Sequence, residues 1–170
     1  MVFSYSQNNP CPLYYYQRVE LPPEVLEMKI KNVFIVDDDP EFLRFLREFL
    51  SDQPGLKIVG EAADGKQALE KIKKIKPDLV LLDIRMPGMN CFTASRLIKQ
   101  KLPQAKIIIL TIFDSPNYAD SANENGAVSY VQKSNMVKDL MPAIRAALKN
   151  ENKALIFKGK KLAIKKGLAK

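Results

Sequence analysis

The segment Leu79-Val80-Leu81-Leu82-Asp83-Ile84 decides the fold of this chain, because it is apolar almost throughout and carries one carboxylate near its end. Such a run is what a strand buried on both faces of a sheet requires. Asp83 is hard to explain structurally, since an unpaired carboxylate at the end of a buried strand is costly. The segment therefore predicts a fully buried parallel strand that ends on a functional acid.

Short apolar runs alternate with amphipathic segments on both sides of this strand. The predicted strands are Val33–Val36, Leu56–Gly60, Leu79–Ile84, Lys106–Ile112 and Val128–Val131. The predicted helices are Glu41–Leu50, Gly65–Ile75, Cys91–Lys101, Pro116–Asn125 and Met136–Lys149. Five strand–helix units in strict alternation predict an α/β fold, a doubly wound five-stranded parallel sheet with helices on both faces.

The first predicted helix has clear signals at its start and along one face. Asp39 can cap it, and Pro40 suits its first turn. Its periodicity places an apolar set on one helical face. That set is Phe42, Phe45, Leu46 and Phe49.

Length and composition fit one domain with two appendages. Of the 170 residues, 46% are hydrophobic and 27% charged, which is globular composition. We expect an irregular leader over residues 1–29, a folded domain over 30–150, and a basic tail or remnant linker over 151–170. The chain has two distant cysteines, no secretory signal and no apolar run that could span a bilayer, so a cytoplasmic location is the expectation.

The net charge of +8 is concentrated at the carboxyl end. Eight lysines lie between Lys149 and Lys170 against one acid, Glu151, whereas the rest of the chain holds 19 basic and 18 acidic side chains. A tail of this kind predicts weak, salt-sensitive attraction to nucleic acid or another anionic surface at most. A solvated, functionless end is an equally good interpretation.

Polar residues follow the predicted strands at the edge where parallel sheets bind ligands. Carboxylates crowded at that edge need a cation to neutralise them. Oxygen ligands, in a chain without histidine, favour magnesium over zinc or copper. A hard metal beside a free carboxylate, an ammonium and a hydroxyl suits phosphoryl transfer to aspartate. The residues concerned are Asp37, Asp38, Asp39, Asp83, Thr111 and Lys133.

Four motifs in order resemble the receiver domain of bacterial response regulators, over about Ile30 to Asn150. They are Val36-Asp37-Asp38-Asp39-Pro40, Leu82-Asp83-Ile84-Arg85-Met86-Pro87-Gly88-Met89-Asn90, Leu110-Thr111 and Tyr130-Val131-Gln132-Lys133. The resemblance implies a flavodoxin-like fold with strand order 2-1-3-4-5. It also implies two-component signalling, with a histidine kinase or phosphotransfer protein as partner and a homodimer as a further possibility.

The same resemblance implies a role for each matching residue. Asp83 would accept the phosphoryl group, and Thr111 and Lys133 would contact it. Tyr130 would be the switch aromatic, turning inward as Thr111 moves towards the phosphate. Magnesium would be held by Asp37, Asp38, Asp83 and the backbone carbonyl of Arg85.

The chain departs from the family pattern near the acceptor. Cys91 stands where glycine is usual, and we expect a packed, inert thiol. Ser134 follows Lys133 where many members have proline, so a cis peptide bond is not assumed. Arg85 and Phe113 occupy the two variable positions that flank the site. Our hypothesis is that the bulk of Phe113 hinders attacking water and prolongs the phosphorylated state.

Two other functions stay open at this stage. A haloacid-dehalogenase-type phosphatase would use Asp37 as nucleophile and Asp39 as acid/base, but it lacks a suitable downstream acid and leaves Asp83 unused. A DNA-binding transcription regulator is the other, because Gly126-Ala127 and Lys133-Ser134 are typical of a family branch that often continues into a helix-turn-helix domain. The residues after Leu148 are too few to form such a module.

Overall fold

The protein is described by a computed structural model that covers residues 29–86, 88–113 and 116–149. The described residues form five strands: β1 (Lys31–Val36), β2 (Leu56–Ala62), β3 (Leu79–Asp83), β4 (Lys106–Thr111) and β5 (Ser129–Gln132). Five α-helices alternate with them: α1 (Pro40–Ser51), α2 (Gly65–Ile75), α3 (Cys91–Lys101), α4 (Pro116–Glu124) and α5 (Met136–Leu148). The predicted leader, apart from Lys29, and the predicted tail lie outside the described residues.

The strands form one parallel sheet in the order β2-β1-β3-β4-β5, which confirms the predicted fold class and strand order. The order reverses between β1 and β3, so the carboxyl ends of these two strands are neighbours: Val36 pairs with Leu82. In doubly wound sheets this reversal opens the crevice in which ligands bind. Among the described helices, none is long and apolar enough to cross a membrane.

Hydrophobic packing on both faces of the sheet holds the helices in place. On one face α1 and α5 pack over residues such as Ile35, Leu81 and Ile108. On the other face α2 and α3 pack over residues such as Val80 and Ile109. The first four residues of β3 are fully buried, as its apolar sequence predicts. The sheet edge therefore stands on a rigid, two-sided core.

The predicted apolar face of α1 is partly buried, because Leu46 lies in the core and Phe42 and Phe49 pack against it. The side chains that enter the core are Leu43, Leu46 and Leu50, whereas Phe45 is 40% exposed. The rings of Phe42, Phe45 and Phe49 lie along the same side of the helix and stack on one another, with centroids 6.1 and 6.0 Å apart. The periodicity located the aromatic row correctly, but the more compact leucines occupy the interface with the sheet.

Gly60 marks an irregularity in the pairing of β1 with β2. The register shifts between Val33 and Phe34, so that Ile58 pairs with Val33 and Gly60 with Phe34. A Cβ atom at Gly60 would lie 2.8 Å from Cε2 of Phe34 and 3.0 Å from Cδ1 of Ile75. The absent side chain is therefore what lets the buried Phe34 ring pack against this strand.

The substitution Gly60→Ala should destabilise the fold by roughly 1–3 kcal/mol, because a fully buried ring has to shift to admit the methyl group. Urea denaturation followed by circular dichroism measures the change, with Lys57→Ala on the exposed side of the same strand as control. Equal midpoints for Gly60→Ala and wild type would contradict this account of the packing.

Candidate functional site

Three consecutive aspartates follow β1, and their side chains lie in different environments. Asp37 is fully buried, and its Oδ1 accepts a hydrogen bond of 3.0 Å from the backbone N–H of Asp39. Asp38 is exposed. Asp39 caps α1, as predicted, with its Oδ1 accepting from the N–H groups of Glu41 (2.9 Å) and Phe42 (3.4 Å). The first two acids are therefore left for the site, while the third starts the helix.

Asp83 ends β3 beside them. It is only 3% exposed, and its Oδ2 accepts a hydrogen bond of 2.6 Å from the backbone N–H of Arg85. Its position follows from the register of the sheet, because β1 and β3 are direct neighbours. Two buried carboxylates from separate segments thus meet at one edge.

The Lys133 ammonium joins these two carboxylates. Lys133 follows β5 at the start of a 3₁₀ turn, Lys133–Asn135. Its Nζ lies 2.6 Å from Oδ2 of Asp37 and 2.8 Å from Oδ1 of Asp83. The lysine side chain is 16% exposed, so the contact is largely shielded from water. Three strand ends therefore converge on one charged cluster.

Burial and ion-pair contacts act in opposite directions on the pKa values of Asp37 and Lys133. Burial raises the pKa of the Asp37 carboxyl, although the hydrogen bonds from Lys133 and Asp39 oppose the shift. For Lys133, burial acts to lower the pKa, but the hydrogen bonds and charges of Asp37 and Asp83 outweigh it and raise the pKa. The lysine is accordingly held as an ammonium, which is the form that neutralises its two partners.

The predicted switch residues meet at Phe113. Thr111 is fully buried, and its Oγ1 accepts a hydrogen bond of 3.0 Å from the Phe113 N–H. Tyr130 is 6% exposed, and its hydroxyl donates to the Phe113 carbonyl at 2.8 Å. The tyrosine ring therefore lies inward in this structure. Thr111 and Tyr130 are thus both hydrogen-bonded to the backbone of Phe113, in the loop after β4.

An open cleft of about 570 Å³ lies over the cluster. Donor oxygens of Asp37, Asp38 and Asp83 lie within 4.8 Å of one another, and this set alone among the described residues groups three potential metal ligands. The donors are all carboxylate oxygens, which is the chemistry a hard divalent cation prefers. The cleft is lined by Asp37, Asp38, Asp39, Asp83, Ile84, Arg85, Met86, Ile112 and Lys133.

Two contacts of aromatic rings at this edge were not predicted from the sequence. The Phe42 ring lies under the Lys133 ammonium, with Nζ 4.0 Å from the ring centroid. The Arg85 guanidinium lies over the Phe113 ring, with Cζ 5.6 Å from the centroid. The sequence indicates only that Phe42 lies in the first helical turn after the Asp39 cap. Nothing in the sequence indicated that Lys133 would be its partner.

Cys91 is packed under the site and is 1% exposed. Burial, with a smaller contribution from the charge of Asp83, raises the pKa of its thiol to about 12. The prediction of an inert cysteine is therefore consistent with its surroundings.

These observations define a doubly wound α/β protein with a carboxylate–ammonium cluster at its topological switch point. Residues 33–145 match the family model of the response regulator receiver domain, and the chain belongs to that family. It is 37% identical over 126 residues to the response regulator protein VraR of Staphylococcus aureus, covering 74% of this chain. The chain spans 59% of the length of that relative.

Solved structures agree with this assignment. A two-component response regulator of the LuxR family from Aurantimonas sp. SI85-9A1 superposes with a TM-score of 0.68 at 34% identity, over 71% of this chain and 86% of that one. The isolated receiver domain of RcsB from Salmonella enterica serovar Typhimurium, solved with the phosphomimetic BeF3⁻, has a TM-score of 0.68 at 27% identity. That match covers 75% of this chain and 94% of the other. The resemblance noted in the four motifs is thereby confirmed.

Cys91 should resist thiol reagents in the folded protein. A thiol whose pKa is raised to about 12 is thiolate in only about one molecule in 10⁴ at pH 8, and the thiolate is the reactive form. In a Cys11→Ser variant, modification by a disulfide reagent at pH 8 should require denaturant. Stoichiometric labelling of the native variant within minutes would contradict this prediction.

Proposed function

We propose that this chain is the phospho-accepting receiver of a two-component phosphorelay, with Asp83 as the acceptor. The observation that carries the proposal is the pair of buried carboxylates bridged by the Lys133 ammonium at the floor of an open cleft. Asp83 is fixed by the Arg85 N–H and Lys133, yet it lines the cleft and can be reached. Family membership supports the same function, since receiver domains are signalling modules.

In the proposed step, a carboxylate oxygen of Asp83 forms a bond to the phosphorus of a phosphohistidine. The P–N bond of the donor breaks, and its electron pair leaves with the imidazole nitrogen. Lys133, 2.8 Å from Oδ1 of Asp83, supplies positive charge next to the place where the phosphoryl oxygens would gather. The partner is then a histidine kinase or phosphotransfer protein. The chain would catalyse only its own phosphorylation and dephosphorylation, and its proposed location is the cytoplasm.

Magnesium is the proposed cofactor. Asp37, Asp38 and Asp83 would hold it, together with the backbone carbonyl of Arg85, and the first three form the clustered oxygen set described above. When bound, the ion would stabilise the charge that develops on the transferred phosphoryl oxygens. Lys133 contacts both Asp37 and Asp83, so its positive charge would continue to offset the negative charge of Asp83 when magnesium is bound.

Thr111 and Tyr130 are the proposed switch residues. Phosphorylation adds charge of about −1.5 to −2 and three acceptor oxygens at one point. The Thr111 hydroxyl is the buried donor that can turn towards those oxygens, exchanging its present contact with the Phe113 N–H. Because Tyr130 is bonded to the same residue, a shift of the loop changes the position of both side chains. The result would be a population shift between two packings of this face.

Phosphorylation of Asp83 is the first test. Incubation with magnesium and acetyl phosphate should add one phosphoryl group by intact mass, and Asp83→Asn should abolish the addition. The exposed Asp52→Asn serves as the matched carboxylate control and should be modified like wild type. Chelation of divalent cations should prevent the reaction, since the carboxylate cluster would then lack its counter-charge. Full modification of Asp83→Asn would refute the assignment of the acceptor.

The lifetime of the phosphoryl group tests the proposed role of Phe113. Phe113→Ala should shorten the lifetime several-fold, because removing the ring and its contact with Arg85 opens a path for water. The hydrogen bonds to Thr111 and Tyr130 use the backbone of Phe113 and should persist. Decay of the phosphorylated form is followed by mass, with the exposed Val137→Ala as control. Equal lifetimes for wild type and Phe113→Ala would refute the hypothesis.

A DNA-binding transcription regulator is a second candidate. It is favoured by similarity to a DNA-binding response regulator of the LuxR family from Staphylococcus aureus, at 26% identity and a TM-score of 0.65. The basic segment proposed to bind nucleic acid, residues 151–170, lies outside the described residues. Binding measured at two salt concentrations separates the alternatives, because loss of all affinity at moderate salt marks a nonspecific electrostatic contact.

A further inference from the structure

We infer that Phe42 is a positioning residue for the Lys133 ammonium and thereby sets the rate at which Asp83 is phosphorylated. The inference rests on the proposed function. Three measurements carry it: Lys133 Nζ lies 4.0 Å from the centroid of the Phe42 ring, 2.6 Å from Asp37 and 2.8 Å from Asp83. The ring is thus the third contact of a charge that already bridges the two buried acids.

The geometry suits a cation–π contact. An ammonium has three N–H groups, and two of its directions are taken by the carboxylates of Asp37 and Asp83. The face of an aromatic ring carries negative potential and attracts a cation within about 6 Å of its centroid. The attraction is stronger where water is excluded, and the Lys133 side chain is only 16% exposed. Phe42 therefore gives the ammonium a third contact beside the two carboxylates.

The backbone of Phe42 is hydrogen-bonded to the acidic loop that contributes to the site. Asp37 Oδ1 accepts from the Asp39 N–H, and Asp39 Oδ1 accepts in turn from the Phe42 N–H. The start of α1 is fixed by this chain of hydrogen bonds. The Phe42 ring also stacks on Phe45, with ring centroids 6.1 Å apart. The backbone of Phe42 is therefore linked to Asp37 through Asp39, and its ring packs against the next turn of α1.

Removing the ring should leave the lysine less well placed. Leucine fills a similar apolar volume but has no π face, so Phe42→Leu deletes the attraction while retaining most of the packing. Water could then reach the ammonium and weaken its contact with Asp83. The charge beside the acceptor would be less well positioned for the incoming phosphoryl oxygens, and phosphorylation should slow.

The test measures phosphorylation of the full chain by acetyl phosphate and magnesium, at saturating donor. A small donor is used so that docking of a protein partner does not enter the rate. Phe42→Leu should lower the rate constant about three- to tenfold, in line with the loss of a partly desolvated cation–π contact. Phe42→Tyr retains a π face and should restore a rate close to that of wild type. Phe49→Leu, the same change two turns along α1, should leave the rate unchanged.

A double-mutant cycle shows whether Phe42 acts through Lys133. In a Lys133→Ala background, Phe42→Leu should have no further effect on the rate, because the charge it positions is absent. Multiplicative losses in the double variant would mean that Phe42 acts elsewhere, and they would overturn the inference.

NMR of the lysine side chain provides a readout that does not depend on phosphorylation. Protons above a ring face are displaced upfield, so the ε-methylene signals of Lys133 should be shifted in wild type and Phe42→Tyr but not in Phe42→Leu. Thermal unfolding identifies a variant that fails to fold, in which case Phe42→Met replaces Phe42→Leu. An unshifted Lys133 signal in wild type would overturn the inference.

The outcomes separate this inference from the proposed function. If wild type is phosphorylated and Phe42→Leu reacts at the same rate, the function stands and the role of Phe42 is refuted. If wild type accepts no phosphoryl group on Asp83, the proposed function is refuted together with the effect of Phe42 on its rate. The NMR comparison then still decides whether Phe42 fixes the ammonium.

Discussion

The site depends on one interaction, the sharing of the Lys133 ammonium by the carboxylates of Asp37 and Asp83. Two buried carboxylates a few ångströms apart repel each other, and each loses its hydration. An ammonium that contacts both carboxylates offsets this repulsion. The three residues come from segments after β1, β3 and β5, so the interaction also ties the whole carboxyl edge of the sheet together.

The surrounding backbone completes this arrangement with neutral donors. Asp37 accepts a hydrogen bond from the Asp39 N–H, and Asp83 accepts one from the Arg85 N–H. Because Lys133 contacts the other oxygen of each acid, all four oxygens of the two buried carboxylates have a partner. Within the part of the chain that the structure describes, no buried side-chain polar atom is left without a hydrogen bond. Such a cluster is stiff, and a rigid arrangement is what electrostatic stabilisation of a transferred group requires. Asp38 differs from these two acids in being exposed.

The phosphatase interpretation fails for structural reasons as well as by family membership. An acid/base at Asp39 would need a free carboxylate near the nucleophile, but this side chain caps α1 through the N–H groups of Glu41 and Phe42. Asp83, which that interpretation leaves unused, is instead buried in contact with Lys133. Asp83 is thus part of the charged cluster, as we propose for a receiver, whereas Asp39 caps a helix.

The sequence by itself determined the fold class, the order of the elements and the strand ends at which the candidate site lies, because alternation of apolar runs and breakers is a local property of the chain. α2 and α3 begin and end where the periodicity predicts, whereas the apolar face predicted for α1 coincides with the buried face only in part. Leu43 and Leu50 enter the core beside Leu46, while Phe42 and Phe49 lie at its edge and Phe45 is exposed, since packing against the sheet decides which of two adjacent stripes is fully buried. Only the tertiary structure decided that Phe42 lies against Lys133 and Arg85 against Phe113. Those contacts join residues far apart in the chain, and no local pattern records which distant side chain will arrive at a given surface once the sheet has assembled.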